Sequence, residues 1–449
     1  MKVRKVHIVS LGCPKNQVDA EVMAAILAGQ GFQITPAPEE AAVIIINTCA
    51  FILPAKEETV DEILQTARYR KIGNLKHLVV TGCLPQRYGR TLEVEIPEVD
   101  LFLGMAEVPN IARHIRRLES RRPAQVRSVI RKPLFLMNAA HPRLLSPAVS
   151  TAYLKIAEGC SNACSYCVIP AIRGKARSRM PHDVLEEARL LADRGVRELI
   201  LIAQDTTAYG RDLRKKQSLA LLLKDLAAIE KIRWIRLLYT HPAHLTTDVL
   251  AAMAREEKIC RYLDLPIQHI DDAVLKAMHR RTDRKKIMEM IDKTREILPD
   301  AALRTSIITG FPGETEVRFQ RLLHFIQEIR FDHLGVFTYS REEGTGAALL
   351  PSRISEKEKQ RRRDALMEEQ AVISHQINRT LISSRQDCII EGKSDHPVYP
   401  YYGRIRRQAP EIDGVTYIRG KNLHPGEIRS CVITDAAEYD LFGETEVFV

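Results

Sequence analysis

Short apolar runs alternate with longer amphipathic stretches along the first part of the chain. Three runs have the apolar or β-branched character of buried parallel strands, over 6–10, 43–46 and 77–81. Stretches with a helical period follow the first two of these runs, over 17–30 and 55–70. This βαβ rhythm predicts a doubly wound α/β domain over residues 1–120.

A second series of strand-like runs predicts a larger domain over residues 148–378. Its six candidate strands cover 153–157, 197–203, 234–239, 262–265, 302–308 and 333–338. Helical patterns separate them, and a charged helix over 355–378 follows the last strand. Six βα units are too few for the usual closed eight-stranded barrel, so we expect an open, partial (βα)6 barrel.

The segments on either side of this barrel have a different character. The segment 121–147 carries four prolines, basic charge and no clear period, which is typical of a linker. From residue 379 onward the helical period disappears, and turn signals at Asp413-Gly414 and Pro425-Gly426 separate short strands. These features predict a small antiparallel β-barrel over 379–449. The fold class is therefore α/β with a C-terminal β-barrel.

The composition is that of an ordinary globular protein, with 449 residues of which 45% are apolar and 28% are charged. The longest apolar runs, such as 43–46, are too short to cross a bilayer, so we expect no membrane segment. The apolar stretch at the N-terminus contains His7 and is shorter than the core of a secretory signal. We therefore expect a cytoplasmic protein.

The nine cysteines are too few for a disulfide scaffold, and their grouped spacing indicates metal binding. Cys160, Cys164 and Cys167 form a C-x3-C-x2-C motif just after the first predicted barrel strand. A zinc site normally needs four nitrogen or sulfur ligands, and no fourth cysteine or histidine lies close in the sequence. Three thiolates on a cubane iron–sulfur cluster leave one iron open to another ligand, and the motif favours such a cluster.

A second set of cysteines is spread through the first domain. Cys13, Cys49 and Cys83 each follow a predicted strand by one to three residues. Because parallel strands meet at the carboxyl edge of their sheet, we expect the three thiols to converge there and to hold a second cluster. Small buried cysteines at strand ends are the alternative. The remaining cysteines lie in apolar contexts and are predicted core thiols: Cys260, Cys388 and Cys431.

The C-x3-C-x2-C motif resembles that of the radical S-adenosylmethionine enzymes, whose usual fold is a partial (βα)6 barrel. The resemblance implies that the open iron chelates the amino and carboxylate groups of the cofactor. It also implies that five further residues contribute to cofactor binding: Tyr166, Gln204, Asp205, Gly310 and Glu314. The last two lie in IITGFPGET, which is equally compatible with an ordinary strand–helix turn.

The segments SLGCPKNQVDAE, NTCAFI and GCLPQRYG resemble the methylthiotransferase family within this superfamily, and DGVTYIRG resembles its C-terminal TRAM domain. The resemblance covers essentially the whole chain. The stretches at 13–16 and 265–270 are similar to the branch that modifies an aspartate of the small-subunit ribosomal protein S12. The alternative is the branch that modifies a tRNA adenosine. A non-catalytic RNA-binding or iron–sulfur assembly protein is a third possibility, which the two intact cysteine sets disfavour.

The resemblance implies two [4Fe–4S] clusters and S-adenosylmethionine as cofactors. The cluster on Cys160, Cys164 and Cys167 would cleave the cofactor to a radical that takes hydrogen from the β-carbon of the aspartate. The cluster on Cys13, Cys49 and Cys83 would carry the sulfur group. An electron donor such as a flavodoxin would supply the reducing equivalent.

The distribution of charge gives a separate indication of the partner. The chain has a net charge of +10, but residues 379–449 hold nine Arg or Lys against eleven Asp or Glu, a balance of −2. A domain that grips tRNA phosphates should be basic, whereas an acidic one suits a basic ribosomal protein. We therefore expect tRNA not to be the partner. A basic run after the cluster motif, from Arg173 to Arg179, either borders the site or is a solvated loop.

Overall fold

The computed structural model describes residues 4–120, 127–145, 150–214, 217–351 and 354–445. The chain folds into two compact units, which we describe separately. The first is made of Met1–Ser146, Lys155–Val184 and Ser340–Ala348, and the second of Pro147–Leu154, Leu185–Tyr339 and Leu349–Val449. Within the described ranges, no helix is both long and apolar enough to cross a membrane.

The first unit contains a six-stranded parallel sheet with helices between its strands. Its elements up to residue 129 are β1 (Arg4–Ser10), α1 (Pro14–Gly29), β2 (Phe32–Ile34), β3 (Val43–Thr48), α2 (Leu53–Ala67), α3 (Tyr69–Ile72), β4 (His77–Gly82), α4 (Cys83–Tyr88), α5 (Leu92–Glu95), β5 (Leu101–Leu103), α6 (Ile111–Ser120) and β6 (Ser128–Val129). The strand order is β2-β1-β3-β4-β5-β6. Every residue of β3 is buried, as expected for the interior of a parallel sheet.

The predicted α/β fold of this region is confirmed, and the three predicted strands are the adjacent strands β1, β3 and β4. The sheet is wider than the sequence indicated because β2, β5 and β6 are only two or three residues long and carry no readable period. Since β6 pairs with β5, the predicted linker 121–147 contributes to the sheet. The parts of that linker at 121–126 and 146–147 lie outside the described residues.

The following stretch carries the C-x3-C-x2-C loop. Its elements are β7 (Thr151–Lys155), β8 (Ala157–Glu158), α7 (Ile169–Arg173), β9 (Arg177–Ser178) and α8 (Pro181–Asp193). The strands β8 and β9 pair antiparallel, with Ala157 opposite Ser178 and Glu158 opposite Arg177. This small ribbon brackets the loop that holds Cys160, Cys164 and Cys167, so both ends of the loop are anchored.

The second unit is built around another six-stranded parallel sheet. Its further elements up to residue 379 are β10 (Glu198–Ile202), α9 (Leu219–Ala227), β11 (Trp234–Leu237), α10 (Thr247–Arg255), β12 (Ile259–Asp264), α11 (Asp272–Ala277), α12 (Arg284–Ile297), β13 (Ala302–Thr309), α13 (Glu316–Ile329), β14 (His333–Thr338) and α14 (Glu356–Arg379). The strand order β7-β10-β11-β12-β13-β14 follows the chain, which confirms the predicted partial (βα)6 architecture. The long helix α14 begins where Ser355 accepts a hydrogen bond from the backbone N–H of Glu358.

The C-terminal region forms the predicted small barrel. Its strands are β15 (Arg385–Lys393), β16 (Tyr401–Ile405), β17 (Thr416–Arg419), β18 (Ile428–Ala436) and β19 (Leu441–Thr445), and they close in the order β15-β16-β17-β19-β18. Cys388 and Cys431 are fully buried in its hydrophobic core. Both therefore pack as core thiols, and Cys260 on β12 is buried in the same way.

A buried ion network joins this barrel to the parallel sheet of the same unit. Glu198 on β10 accepts hydrogen bonds from Arg404 at 2.6 Å and from Arg236 at 2.9 Å. Burial opposes ionisation of Glu198, but the guanidinium groups of Arg404 and Arg236 outweigh it and lower the pKa of the carboxyl to about 2. The carboxylate therefore stays ionised within the protein interior.

We expect Glu198→Ala to lower the free energy of unfolding by about 3–5 kcal/mol, because it removes the anion that pairs with the buried Arg236 and one of the two carboxylates that pair with Arg404. Because the pKa of Glu198 in the folded chain lies below its ordinary value of 4.5, its contribution is present above that pH and is lost as the pH falls towards 2. The difference in the free energy of unfolding between wild type and variant, measured by urea unfolding, should therefore shrink as the pH falls from 4.5 to about 2.

The exposed pair Asp193–Lys231, at 2.7 Å, offers a matched control. The side chains of this pair are 64% and 58% exposed, so Asp193→Ala should cost less than about 1 kcal/mol. Equal losses in the two variants would contradict a structural role for the buried network.

Candidate functional site

The structure brings Cys13, Cys49 and Cys83 together at the carboxyl edge of the first sheet. Cys13 lies three residues after β1 and precedes α1, Cys49 directly follows β3, and Cys83 is the first residue of α4, directly after β4. These strands are neighbours in the order β1-β3-β4, so their ends lie side by side. Cys83 is buried, and the other two thiols are half-buried.

Two glycines allow these loops to approach one another. Gly12 has φ +89°, and a Cβ there would lie 2.6 Å from the Cβ of Cys49 and 3.0 Å from its Sγ. Gly82 has φ +97°, and a Cβ there would lie 2.5 Å from Oδ1 of Asn47. Any other residue at either position would push the cysteine-bearing loops apart, so the glycines are required by the convergence of the thiols.

Side-chain hydrogen bonds fix the same loops. Asn16 donates to the carbonyl of Leu11 at 2.8 Å and to that of Thr48 at 3.0 Å, which ties the end of β3 to the loop after β1. Thr48 in turn donates to the carbonyl of Thr81 at 2.6 Å and accepts from the N–H of Leu84 at 3.2 Å. These side-chain hydrogen bonds therefore fix the loops that carry the three thiols.

The three thiols differ in their ease of ionisation. Burial raises the pKa of Cys49 to about 12, and the nearby Cys83 adds to this shift. Burial also raises the pKa of Cys83, although Arg173 opposes the shift. The pKa of Cys13 is lowered: burial opposes ionisation, but the cations Lys15 and Arg173 outweigh it. Arg173 acts on all three thiols, which therefore share one electrostatic environment.

The second cysteine set lies on the loop between β8 and α7, in the same unit. The N–H of Cys160 donates to the carbonyl of Gly174 at 3.0 Å, and the N–H of Cys167 donates to the carbonyl of Cys164 at 3.1 Å. All three thiols are half-buried. Tyr166 lies beside them on the loop and is also half-buried. The sulfurs of this loop are therefore partly accessible from solvent.

The donor sets fit an iron–sulfur cluster better than a single ion. Among the described residues, the only three possible ligands found within 4.8 Å of one another are Asp205, His241 and His244. Neither cysteine set is therefore gathered as tightly as the bonds of about 2.3 Å from a single zinc ion would require. Thiolates are the usual ligands of iron–sulfur clusters, which are larger than one ion.

Gln204 and Asp205 lie two and three residues after β10 in the second unit, at the carboxyl end of a parallel strand. Asp205 accepts a hydrogen bond from Oγ1 of Thr207 and pairs with Nδ1 of His244, each at 2.7 Å. Burial opposes ionisation of Asp205, but His244 and His241 outweigh it and lower its pKa to about 2. The aspartate is therefore a fixed anion.

His241 completes this cluster but does not make it a good metal site. Burial lowers the pKa of His241 to about 3, and the cations Arg280 and Arg211 contribute to the shift. The same cations oppose the entry of a divalent ion. Nδ1 of His241 also accepts the N–H of Ala243 at 3.2 Å. We therefore interpret Asp205, His241 and His244 as a hydrogen-bonded network.

Gly310 and Glu314 form the turn after β13 in this unit. Oε2 of Glu314 accepts the N–H of Gly310 at 2.9 Å, and Oε1 pairs with Arg362 at 2.7 Å. Gly310 has φ +73°, and a Cβ there would lie 2.1 Å from Cγ of Lys359. Both oxygens of the buried carboxylate are thus engaged by the protein, and Glu314 fixes the shape of the turn.

The sequence did not show which residues of the basic run border the thiols. Arg173 and Arg179 are each 1% exposed, whereas Lys175 is exposed and Arg177 half-buried. Nη2 of Arg173 lies 3.6 Å from Sγ of Cys83, so this arginine belongs to the site. Its place in the sequence, six residues after Cys167, was the only available signal.

Comparisons with known proteins agree with this organisation. The uncharacterized protein family UPF0004 matches residues 5–104, the Radical SAM superfamily matches 154–326, and the TRAM domain matches 382–445. Among solved structures, the chain is similar in fold to the radical S-adenosylmethionine methyltransferase TsrM from Kitasatospora setae, with a TM-score of 0.55 and 13% identity. The similarity covers 88% of this chain and 82% of that one.

Curated relatives match the chain from end to end. It is 59% identical over 447 residues to the ribosomal protein uS12 methylthiotransferase RimO of Syntrophus aciditrophicus, with 99% of each chain covered. It is 52% identical over 440 residues to the protein of the same name from Geobacter sulfurreducens, with 98% of each covered. The chain therefore belongs to the RimO family of radical S-adenosylmethionine methylthiotransferases, enzymes whose cofactors are S-adenosylmethionine and [4Fe–4S] clusters.

Proposed function

We propose that this enzyme transfers a methylthio group to the β-carbon of an aspartate in ribosomal protein uS12, using two [4Fe–4S] clusters. The observation that carries the proposal is the presence of two separate three-cysteine sets in one compact unit. The names of its relatives, which span the whole chain, support the choice of substrate.

The cysteines would hold the clusters, with Cys160, Cys164 and Cys167 on the radical cluster and Cys13, Cys49 and Cys83 on the second. When bound, the clusters and S-adenosylmethionine supply an electron, a 5′-deoxyadenosyl radical and a methylated sulfur. Replacement of the hydrogen of an unactivated C–H bond requires this chemistry. The chain contributes fixed geometry: Asn16 and Thr48 hold the loops of the second set, and the ribbon of β8 and β9 brackets the loop of the first.

The residues that would bind S-adenosylmethionine are the five that the family resemblance implies. Tyr166 would pack near the adenine, and Gln204 and Asp205 would contact the cofactor from the end of β10. The backbone of the turn at Gly310 would approach the adenosine, with Glu314 as its support, since both oxygens of that carboxylate already bond to the protein. We also propose an external one-electron donor, such as a flavodoxin.

The test is mass spectrometry of ribosomal proteins and tRNA from cells with and without this protein. We expect uS12 from the deficient cells to lack the mass of one CH2S unit on a single aspartate, and tRNA to be unchanged. Loss of a methylthio group from a tRNA adenosine, with unchanged uS12, would contradict the proposal and favour the tRNA branch. Re-expression of the wild-type chain should restore the mass, and re-expression of Cys164→Ala should not.

We further propose that the C-terminal barrel binds the basic ribosomal protein. Three of the cations in residues 379–449 contact the rest of their own unit: Arg404 pairs with Glu198, Arg406 donates to the carbonyl of Glu257, and Arg407 to that of Asp300. These three cations are thus engaged within the chain. Two acids are engaged as well, Asp413 by Tyr262 and Glu391 by Arg404, so the remaining charges of the barrel keep an acidic balance.

Charge reversal of two exposed acids on this barrel, Asp435→Lys with Glu438→Lys, should slow association with uS12 roughly ten-fold at low salt. The effect should fade as salt is raised, because exposed charges are screened. Asp440 is left unchanged, since its Oδ1 accepts the N–H of Val415 at 2.8 Å and supports a turn. Binding of the full chain to purified uS12 by surface plasmon resonance measures the rate.

The matched control reverses two exposed acids elsewhere in the same unit, Asp292→Lys with Glu296→Lys on α12. It makes the same change in net charge, so equal slowing in both variants would show a general charge effect and contradict a docking role for the barrel. Salt-sensitive binding of the wild-type chain to tRNA in place of uS12 would also contradict it.

A further inference from the structure

Arg173 is a buried cation that touches one of the cluster-binding thiols. It is the last residue of α7 and is 1% exposed. Its Nη2 lies 3.6 Å from Sγ of Cys83, within the range of an N–H···S hydrogen bond. A full positive charge held this close to a thiolate, away from solvent, acts with little screening.

The other side of the guanidinium is fixed by acceptors. Nη1 donates to Oε1 of Glu158 at 2.8 Å, and Nη2 also donates to Oδ1 of Asn16 at 2.6 Å. Glu158 is in turn paired with Lys155 at 2.9 Å, and Lys155 also pairs with Asp19. All of these groups are buried. The planar guanidinium therefore has one orientation, in which it faces Cys83.

The residues that hold Arg173 also hold the loops of the cysteine set. Asn16, which holds the guanidinium, is the same residue that ties the loops after β1 and β3. The arginine is thus built into the frame of the site and is not an incidental neighbour.

Arg173 also adjoins the loop of the radical cluster. The next residue, Gly174, accepts the N–H of Cys160 through its carbonyl at 3.0 Å. One short segment of chain therefore contacts a cysteine of each set, and both contacts lie within the same compact unit.

We propose that Arg173 is a positioning residue that donates a hydrogen bond to the Cys83 ligand and raises the reduction potential of the cluster on Cys13, Cys49 and Cys83. A cluster gains one negative charge when it accepts an electron, and a buried cation beside a ligand sulfur stabilises that more negative state. Hydrogen bonds to ligand sulfurs are an established determinant of cluster potential. The inference rests on the proposed function, because it requires a cluster at these thiols.

The experiment isolates this cluster by replacing Cys160, Cys164 and Cys167 with alanine in the full chain. In that background, the potential is measured by dithionite titration, followed through the paramagnetic resonance of the reduced cluster. We expect Arg173→Met to shift the potential to a more negative value. Arg173→Lys should shift it less, since it keeps the charge but loses the planar array of donors.

Arg179→Lys is the matched control. Arg179 is equally buried, but it donates to Asp183 at 2.7 Å and to the carbonyl of Lys155 at 2.8 Å. Its substitution should leave the potential unchanged. An unchanged potential in Arg173→Met would overturn the inference. So would loss of iron from both Arg173 variants, which would make the arginine a requirement for cluster binding.

The proposed function fails in a different way. If the background protein with Arg173 intact binds no iron, there is no cluster at Cys13, Cys49 and Cys83, and the two-cluster mechanism is overturned together with the inference. If the background binds iron and only the Arg173 effect is absent, the two-cluster mechanism stands.

Discussion

Cys164→Ala will abolish reductive cleavage of S-adenosylmethionine while leaving the protein folded. The side chain is half-buried on a loop, and the contact that shapes the loop there is made by the backbone: the carbonyl of Cys164 accepts the N–H of Cys167 at 3.1 Å. Alanine keeps that carbonyl and removes only the sulfur. Because thiolates are the ligands that such clusters use, the loss of one from a set of three should prevent assembly of a competent cluster.

The measurement is 5′-deoxyadenosine formation by the purified, reconstituted enzyme with dithionite as reductant. Cys260→Ala is the matched control, because it removes a sulfur from a fully buried core position on β12. It should cost some stability through the cavity it leaves, yet retain cleavage. Cleavage by Cys164→Ala at the wild-type rate would show that this loop does not hold the radical cluster.

The architecture could be predicted from the sequence wherever an element is long enough to show a period. The six barrel strands and helix α14 were predicted within a few residues of their bounds, because each has a continuous apolar or amphipathic run. The short strands β2, β5 and β6 could not be predicted, since two or three residues carry no period and their pairing is decided by the neighbouring strands.

The convergence of Cys13, Cys49 and Cys83 could also be predicted, because parallel topology alone brings strand ends to one edge. The surroundings of the thiols could not. The partners of Arg173 are 15 and 157 residues away in the chain, at Glu158 and Asn16, and no local pattern links such positions. The sequence of a basic run does not distinguish a buried arginine from a solvated one, because the acceptors of the buried arginine come from distant parts of the chain.

The network around Asp205 could not be predicted either, because its partners are also distant in the sequence. Its partner His244 lies 39 residues further along the chain, on the loop after the next strand. The order of the strands, β10 beside β11, brings the two loops together. Positions that follow successive strands of one sheet are therefore worth examining as a set, even when their spacing matches no short motif.

Cys49→Ala tests whether the second cysteine set holds a cluster of its own. The variant should lose about half of the iron and sulfide of the reconstituted enzyme, since one of two clusters would be affected, and all of the methylthio product. Cleavage of S-adenosylmethionine should survive, because Cys160, Cys164 and Cys167 are intact. The fold should also survive: alanine keeps the Cβ that Gly12 already accommodates, and the carbonyl of residue 49 can still accept the Oγ1–H of Thr59.

Iron and sulfide analysis, together with assays of cleavage and of uS12 modification, measures each part of this expectation. Cys388→Ala, which removes a fully buried sulfur from the C-terminal barrel, should change none of the three. The decisive result is retained cleavage together with lost methylthio product, because a general loss of folding would remove both. If Cys49→Ala kept all of its iron, the three thiols would be structural cysteines at strand ends, and the methylthio group would have to be carried elsewhere.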